Sequence, residues 1–227
     1  MATIFRKELK YVITYENFLQ IQSLLEAVLE RDEHCKSASY MVRSQYYDSV
    51  TNADLQDNLD GVLQKRKIRL RIYDVNANEG KLEYKCKNGS DGVKYSLKVS
   101  REEALLLENH HYDFLLRRPE ELAARLYNKM TSEVYMPKTI VEYQRLAYRF
   151  PASDVRVTFD TDIRASINPY GIFEPAPSYV PLLHADKGIL EIKYNDFFPS
   201  ALKPLLGNLD SVAEAYSKYS TARLAYV

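Results

Sequence analysis

The segment KRKIRLRIYD, residues 65–74, constrains the fold more than any other stretch of the chain. Along a β-strand, residues i, i+2 and i+4 face one side. Lys67, Arg69 and Arg71 therefore share one face, and Ile68, Leu70 and Ile72 share the other. The apolar face must pack on a core, so the cations look away from it.

The alternation recurs along the chain. Glu83, Lys85 and Lys87 oppose Leu82, Tyr84 and Cys86; Lys94, Ser96 and Lys98 oppose Val93, Tyr95, Leu97 and Val99. Arg6, Glu8 and Lys10 oppose Phe5, Leu9 and Tyr11. Arg156, Thr158 and Asp160 oppose Val155, Val157 and Phe159, while Glu191 and Lys193 oppose Leu190, Ile192 and Tyr194. One charged strand face is ordinarily a solvated face. Repetition of faces led by Lys or Arg needs another account in a chain with 31 basic and 31 acidic residues. The compensating acids are expected elsewhere, for example in helices around Glu102–Glu103 and Glu120–Glu121.

Strand-like segments lie near 4–14, 40–48, 65–74, 81–88, 92–99, 134–149, 154–163 and 187–195. Helical segments lie near 15–31, 100–108, 118–129, 199–206 and 210–218. Ser100 to Glu103 reads as a capping box, and Asn88-Gly89 with Asp91-Gly92 as a hairpin. The Pro-rich stretch 164–186 reads as a loop over one end of a sheet. This pattern predicts an α+β fold: an antiparallel eight-stranded β-barrel with helices packed outside, and residues 1–227 forming a single domain. Cys35 and Cys86 have no paired spacing and suit a reducing cytosol. The first residues lack a signal-peptide run, and no stretch approaches ~18 consecutive apolar residues. A cytoplasmic protein is expected.

If the sheet closes with the cationic faces inward, its interior is a narrow channel that needs a dense anion. Duplex nucleic acid is too wide for it, and zero net charge also argues against nucleic acid. A triphosphate or a linear polyphosphate fits. Arg suits bidentate phosphate contacts and Lys suits point-charge contacts. Glu8, Glu83 and Glu191 have two readings: ligands of a hard divalent ion, Mg²⁺ or Mn²⁺, or partners of neighbouring cations. Glu191 is the leading ligand candidate. The sequence holds no P-loop, GxGxxG or GxSxG, and its four His lack zinc spacing.

The motifs RKELKY, QYYDS, RKIRLRIYD, LEYKCK, VEYQRLAYRF, VRVTFDTDIR, ILEIKY and SKYSTAR occur in that order. Together they resemble the catalytic domain of the vacuolar transporter chaperone (VTC) family, the polyphosphate polymerases among the triphosphate tunnel metalloenzymes. The match covers about 4–223. The resemblance implies a tunnel-shaped antiparallel barrel. It also implies transfer of the γ-phosphate of ATP onto a growing polyphosphate chain, aided by Mn²⁺ or Mg²⁺. Lys10, Arg69, Arg71, Lys85, Arg145 and Arg156 would be the catalytic cations. Lys98 or Lys94, Tyr143 and Lys193 would contact substrate, with Ser217 and Lys218 at the tunnel mouth. Glu191, with Glu8, would bind the metal.

Two positions depart from the wider pattern. Arg6 stands where the superfamily has a Glu, as is usual in the polymerase branch. Ala215 stands where the eukaryotic polymerase has a further Lys near its product exit. The eukaryotic assemblies also carry an SPX domain and membrane helices. A stand-alone bacterial form is therefore expected, with any membrane partner a separate protein. Two other readings use the same scaffold: a triphosphate or tripolyphosphate hydrolase, and a non-catalytic polyphosphate-binding module.

Overall fold

The computed structural model describes residues 7–35, 39–89, 91–150, 153–195, 198–207, 209 and 212–225. Phe5 and Arg6, expected on the first-strand faces, lie outside the described residues. The strands are β1 (Lys7–Thr14), β2 (Glu30–Arg31), β3 (Tyr40–Ser49), β4 (Gln64–Ile72), β5 (Glu79–Asn88), β6 (Asp91–Ser100), β7 (Tyr135–Arg149), β8 (Arg156–Ser166), β9 (Val180–Pro181) and β10 (Lys187–Tyr194). The helices are α1 (Tyr15–Val28), α2 (Ala53–Leu59), α3 (Arg101–Glu108), α4 (Glu121–Ser132), α5 (Lys203–Gly207) and α6 (Lys218–Leu224).

Strand pairing runs β1-β10-β8-β7-β3-β4-β5-β6, with β2 on β7 and β9 on β8. The α+β class and the antiparallel sheet are as expected, and the eight expected strands are all present. Two details differ. Two short strands, β2 and β9, add to the eight, and the pairing ends at β1 and β6 instead of closing into a barrel. β2 forms because Leu29 turns extended at the end of α1, which frees Glu30 and Arg31 to pair with Arg149 and Tyr148. The helix expected over 15–31 is shortened for that reason.

The chain gathers into two compact units. One comprises Met1–Met41, Tyr143–Arg164 and Pro181–Ser217. Its core joins Ile13, Phe18, Ile21 and Leu25 to Val157, Phe159, Leu190 and Ile192. In α1, Phe18, Ile21 and Leu25 recur at helical spacing on the buried face, and the Thr14 side chain caps the helix by accepting from the Asn17 N–H. The Phe18 ring stacks on Phe159 at 3.8 Å between centroids. Gly188 makes the strand contact there possible: a Cβ would lie 2.7 Å from the Phe159 ring and 2.8 Å from the Asp160 carbonyl.

The other unit comprises Val42–Glu142, Ala165–Val180 and Lys218–Val227. Ile68, Leu70, Ile72, Leu82, Tyr84, Leu97 and Val99 form the apolar face of its sheet. Leu107 of α3 and Ala123, Leu126 and Met130 of α4 cover that face. The Ser100–Glu103 capping box starts α3 as expected. Helix α2 was not expected. Its first amides are satisfied from outside, since the Asp48 carboxylate accepts from the Asp54 and Leu55 N–H groups.

The helix expected at 210–218 is a correction. Residues 212–217 are not helical, and Asp210 and Ser211 lie outside the described residues. The Glu214 N–H donates to the Lys10 carbonyl and the Tyr216 carbonyl accepts from Lys10 Nζ, so this backbone is spent on β1. The helix begins instead at Lys218. No helix among the described residues is long and apolar enough to cross a membrane.

Candidate functional site

Strand register arranges the cations of the second unit into rungs. Arg69 lies opposite Tyr46 on β3 and Glu83 on β5, and Glu83 lies opposite Ser96 on β6. On one side of this rung stand Ser44, Arg71, Lys81 and Lys98. On the other stand Lys67, Lys85 and Lys94. The strand-parity reading therefore holds: Ile68, Leu70 and Leu82 are fully buried on the far face.

Glu83 is the hub of this face. It is 2 % exposed. Arg69 Nε donates to it at 2.7 Å, Lys94 Nζ donates at 2.8 Å, and Arg71 Nη1 lies 3.9 Å away. Burial alone would push the carboxyl up, but Arg69, Arg71 and Lys94 outweigh it and hold Glu83 well below the usual range. Arg71 Nε is steadied by Ser44 Oγ at 3.1 Å. Tyr46 is affected by the same charges. Its burial would raise the hydroxyl, yet Arg69, Arg71 and Lys218 together lower it. Lys218 therefore lies within electrostatic reach of this face, and Lys67 Nζ lies 5.7 Å from the neighbouring Tyr219 ring. Lys85 is half-buried between Lys67 and Lys94. Lys98 is exposed and pairs with Glu79 at 2.5 Å, so of the two β6 lysines it is Lys94 that reaches Glu83.

The first unit carries a different set. Glu8 lies opposite Lys193 and Lys10 opposite Glu191, which makes a checkerboard of two acids and two lysines. Lys10 Nζ is 3.0 Å from Glu8, and Lys193 Nζ is 3.1 Å from Glu191. Glu191 is buried. Desolvation would raise it, but Lys193, a hydrogen bond with Glu8, Lys10 and Arg145 keep it well below the normal carboxylate range. Beside it, the buried Thr158 Oγ1 has no hydrogen-bond partner.

Arg145 is committed to a forked pair with Asp160, at 2.7 Å and 2.8 Å, and lies 3.8 Å from Glu191. Its Cζ sits 5.1 Å from the buried Tyr143 ring. Arg156 donates to Asp32 at 2.9 Å and to the Tyr40 hydroxyl at 3.4 Å. Ser217 is half-buried just before α6.

These partners correct one expectation. Glu103 and Glu120 do not balance the strand cations, because both pair with Arg118. The balancing acids sit on the strands themselves, where neighbours across the ladder are within reach. Sequence reading did not single out Asp32 or Tyr40, nor did it give Ser44, Tyr46 and Asp160 a role. For β3 the reason is physical: its last eight residues, 42–49, are buried on both faces, so alternation carries no inside–outside signal.

A metal can be tested against these donors. Among the described residues no group of three or more His, Cys, Asp or Glu is gathered for an ion. Glu8 and Glu191 are nonetheless diagonal neighbours on the β1–β10 ladder, with an orphaned Thr158 hydroxyl next to Glu191. Two carboxylates and a hydroxyl are hard oxygen donors of the kind that would suit a hard divalent ion.

Comparison with known proteins agrees with this architecture. The VTC domain family model matches residues 5–227. A candidate adenylate cyclase from Bacillus halodurans shares the fold with a TM-score of 0.56 at 13% identity, over 94% of this chain and 96% of that one. Another from Vibrio parahaemolyticus gives 0.51 at 12% identity, over 97% and 98%. A Pyrococcus horikoshii protein gives 0.51 at 14% identity, over 98% and 100%. No curated protein matches the sequence.

Proposed function

The chain belongs to the VTC domain family of triphosphate tunnel proteins, and from that premise we propose that it is a polyphosphate polymerase. The observation that carries the reading is the convergence of Arg69, Arg71 and Lys94 on one buried carboxylate. The Glu83 oxygens occupy the kind of position that phosphate oxygens take between such cations.

In the proposed reaction a terminal oxygen of the polyphosphate chain attacks the γ-phosphorus of ATP. A new P–O bond forms, the bond to the β-phosphate bridging oxygen breaks, and ADP leaves with that electron pair. No protein nucleophile is required, so the residues act by positioning and charge stabilisation. Arg69, Arg71, Lys94 and Lys85 bind and orient phosphate oxygens, with Lys98 further out. Lys10, Arg145, Arg156 and Lys193 supply positive charge in their own unit, where Tyr143 backs Arg145. Ser217 and Lys218 contact phosphate near the start of α6. Glu191 and Glu8 would hold Mn²⁺ or Mg²⁺, which neutralises charge developing on the transferred group. In this reading residues 1–227 act as one domain in the cytoplasm, on ATP and inorganic polyphosphate and not on nucleic acid. Any membrane step belongs to a separate protein.

Hydrolysis on the same scaffold would need an activated water, usually organised by extra metal carboxylates. Glu8 and Glu191 are only two. The second reading is the non-catalytic polyphosphate-binding module, and it is favoured by Lys10 on Glu8 and Lys193 on Glu191, which can replace a metal. Incubation with ATP, Mn²⁺ and a short polyphosphate primer tests the main reading. Lengthened polymer is expected, with turnover abolished in Glu191→Gln while polyphosphate binding persists. Free phosphate without polymer rejects the polymerase.

A further inference from the structure

We propose that the Tyr46 hydroxyl donates a hydrogen bond to bound phosphate and couples that binding to the uptake of one proton at the phenol oxygen. The inference rests on the phosphate-binding reading of this unit and adds a ligand from β3, where strand parity is silent. Tyr46 lies opposite Arg69 and is 3 % exposed. Its hydroxyl accepts from Arg69 Nη1 at 3.4 Å. That contact uses a lone pair, and the O–H proton has no acceptor among the described residues. Tyr47, Tyr112, Tyr135 and Tyr219, buried in the same unit, show the ordinary arrangement. Each donates to an oxygen: Gln45 Oε1 at 2.6 Å, the Tyr135 carbonyl at 2.7 Å, Asp54 at 2.8 Å and Asp48 at 2.6 Å. Burial pushes all four hydroxyls up from the usual tyrosine range. Tyr46 is buried as they are but goes the other way, because Arg69, Arg71 and Lys218 outweigh its desolvation.

The surroundings of the phenol are cationic on two elements. β4 presents Arg69, Arg71 and Lys67, whose Nζ lies 6.0 Å from the Tyr46 ring, with Glu83 of β5 beyond Arg69. α6 contributes Lys218, and its Tyr219 ring stacks on Tyr46 at 5.2 Å between centroids. On β3 itself Ser44 and Asp48 share the face of Tyr46. Ser44 accepts from Arg71, and Asp48 is taken up by Tyr219 and the α2 amides. A buried O–H with no acceptor is costly, and an anion is the partner that removes the cost. A phosphate oxygen supplies that acceptor. The cations favour the phenolate in the ligand-free face, and an arriving negative charge reverses the preference. A phenolate then takes its proton from water as phosphate binds, and no P–O bond is made or broken.

Tripolyphosphate titrated into the whole chain, wild type and Tyr46→Phe, tests this, with tyrosinate absorbance followed from neutral to alkaline pH. In wild type one tyrosine should ionise below the ordinary value near 10 and lose its tyrosinate band when tripolyphosphate is added. Tyr46→Phe should lack that step. It should also bind tripolyphosphate about tenfold more weakly at neutral pH, the loss of one hydrogen bond to a charged group. Above the ionisation, wild-type affinity should fall by up to about tenfold per pH unit, the slope of one linked proton, and the variant should lack that slope. An early step that persists in Tyr46→Phe overturns the assignment. Tripolyphosphate binding that leaves the tyrosinate band unchanged overturns it too, and that result needs wild type alone, so it decides whether or not the variant folds. A tyrosine that only holds the strand would weaken binding on removal but would exchange no proton with the ligand. Neither arm involves turnover, so a chain that binds tripolyphosphate and makes no polymer from ATP loses the polymerase reading while this result stands.

Discussion

Glu83 is the residue on which the ligand-free cationic face depends. It is buried, and removing its charge leaves Arg69, Arg71 and Lys94 facing one another. Breaking a buried ion pair from one side costs about 3–5 kcal/mol, and the half-exposed Lys94 discounts this toward the lower end. Glu83→Gln is therefore expected to lose about 3 kcal/mol of unfolding free energy in denaturant, by the same principle. Added polyphosphate should restore a large part, because the anion takes over the role of the lost carboxylate. A loss that polyphosphate does not reverse would mean that Glu83 holds the strands and not the ligand-binding cations. The sequence pairs Glu83 with cations on one face, but only the register identifies which of them reach it.

Helix α6 gains its place through a small polar latch in the second unit. The buried Asp48 carboxylate accepts the Tyr219 hydroxyl at 2.6 Å while it also holds the first amides of α2. Arg223 links the Tyr219 hydroxyl, at 3.2 Å, to Asn52 Oδ1, at 3.1 Å. Asn52 stands in the left-handed region at φ 59°, which Asn tolerates better than most residues. The latch fixes the residue before Tyr219, the phosphate candidate Lys218. Tyr219→Phe should cost about 1.5–3 kcal/mol in stability, the value of one buried hydrogen bond to a charged group. Phosphate affinity, measured by titration, should fall several-fold as Lys218 loses its anchor. Unchanged affinity at reduced stability would limit the latch to holding the helix. SKYSTAR was legible as a motif, whereas the helix boundary was not. Nothing in 210–217 announces that its backbone bonds to β1.

Across the whole molecule, legibility followed burial. β4, β5 and β6 each keep one apolar face, and period-2 reading placed their charged side chains on the other. β3 and much of β7 are buried on both sides and mix polar with apolar residues, so parity was silent about Arg43 and Gln45. Buried acids also give the fold opposing pH dependences. Burial raises the Asp54 carboxyl to about 6, against the pull of the Tyr135 hydroxyl and with the help of Asp48. An acid raised on folding stabilises most below its unfolded value near 4, and that stability is lost as pH rises through about 6. Glu83 and Glu191 act in the reverse sense, stabilising above about 4 and losing that stability on acidification. Comparing wild type with Asp54→Asn by urea unfolding isolates the first effect. Wild type should gain about 2–3 kcal/mol relative to the variant at pH 4 over pH 7, at 1.36 kcal/mol per unit. A difference that is flat with pH would reject the assignment.

The Glu83 clasp also determines what kind of binder this face is. Its cations already hold the Glu83 counter-charge, so phosphate binding as proposed would displace a carboxylate and not fill an empty slot. On that proposal the face would work as an ion exchanger. Anions with few charges would compete poorly against a tethered carboxylate already in place, whereas an anion of many linked charges would gain further contacts as it displaced that one.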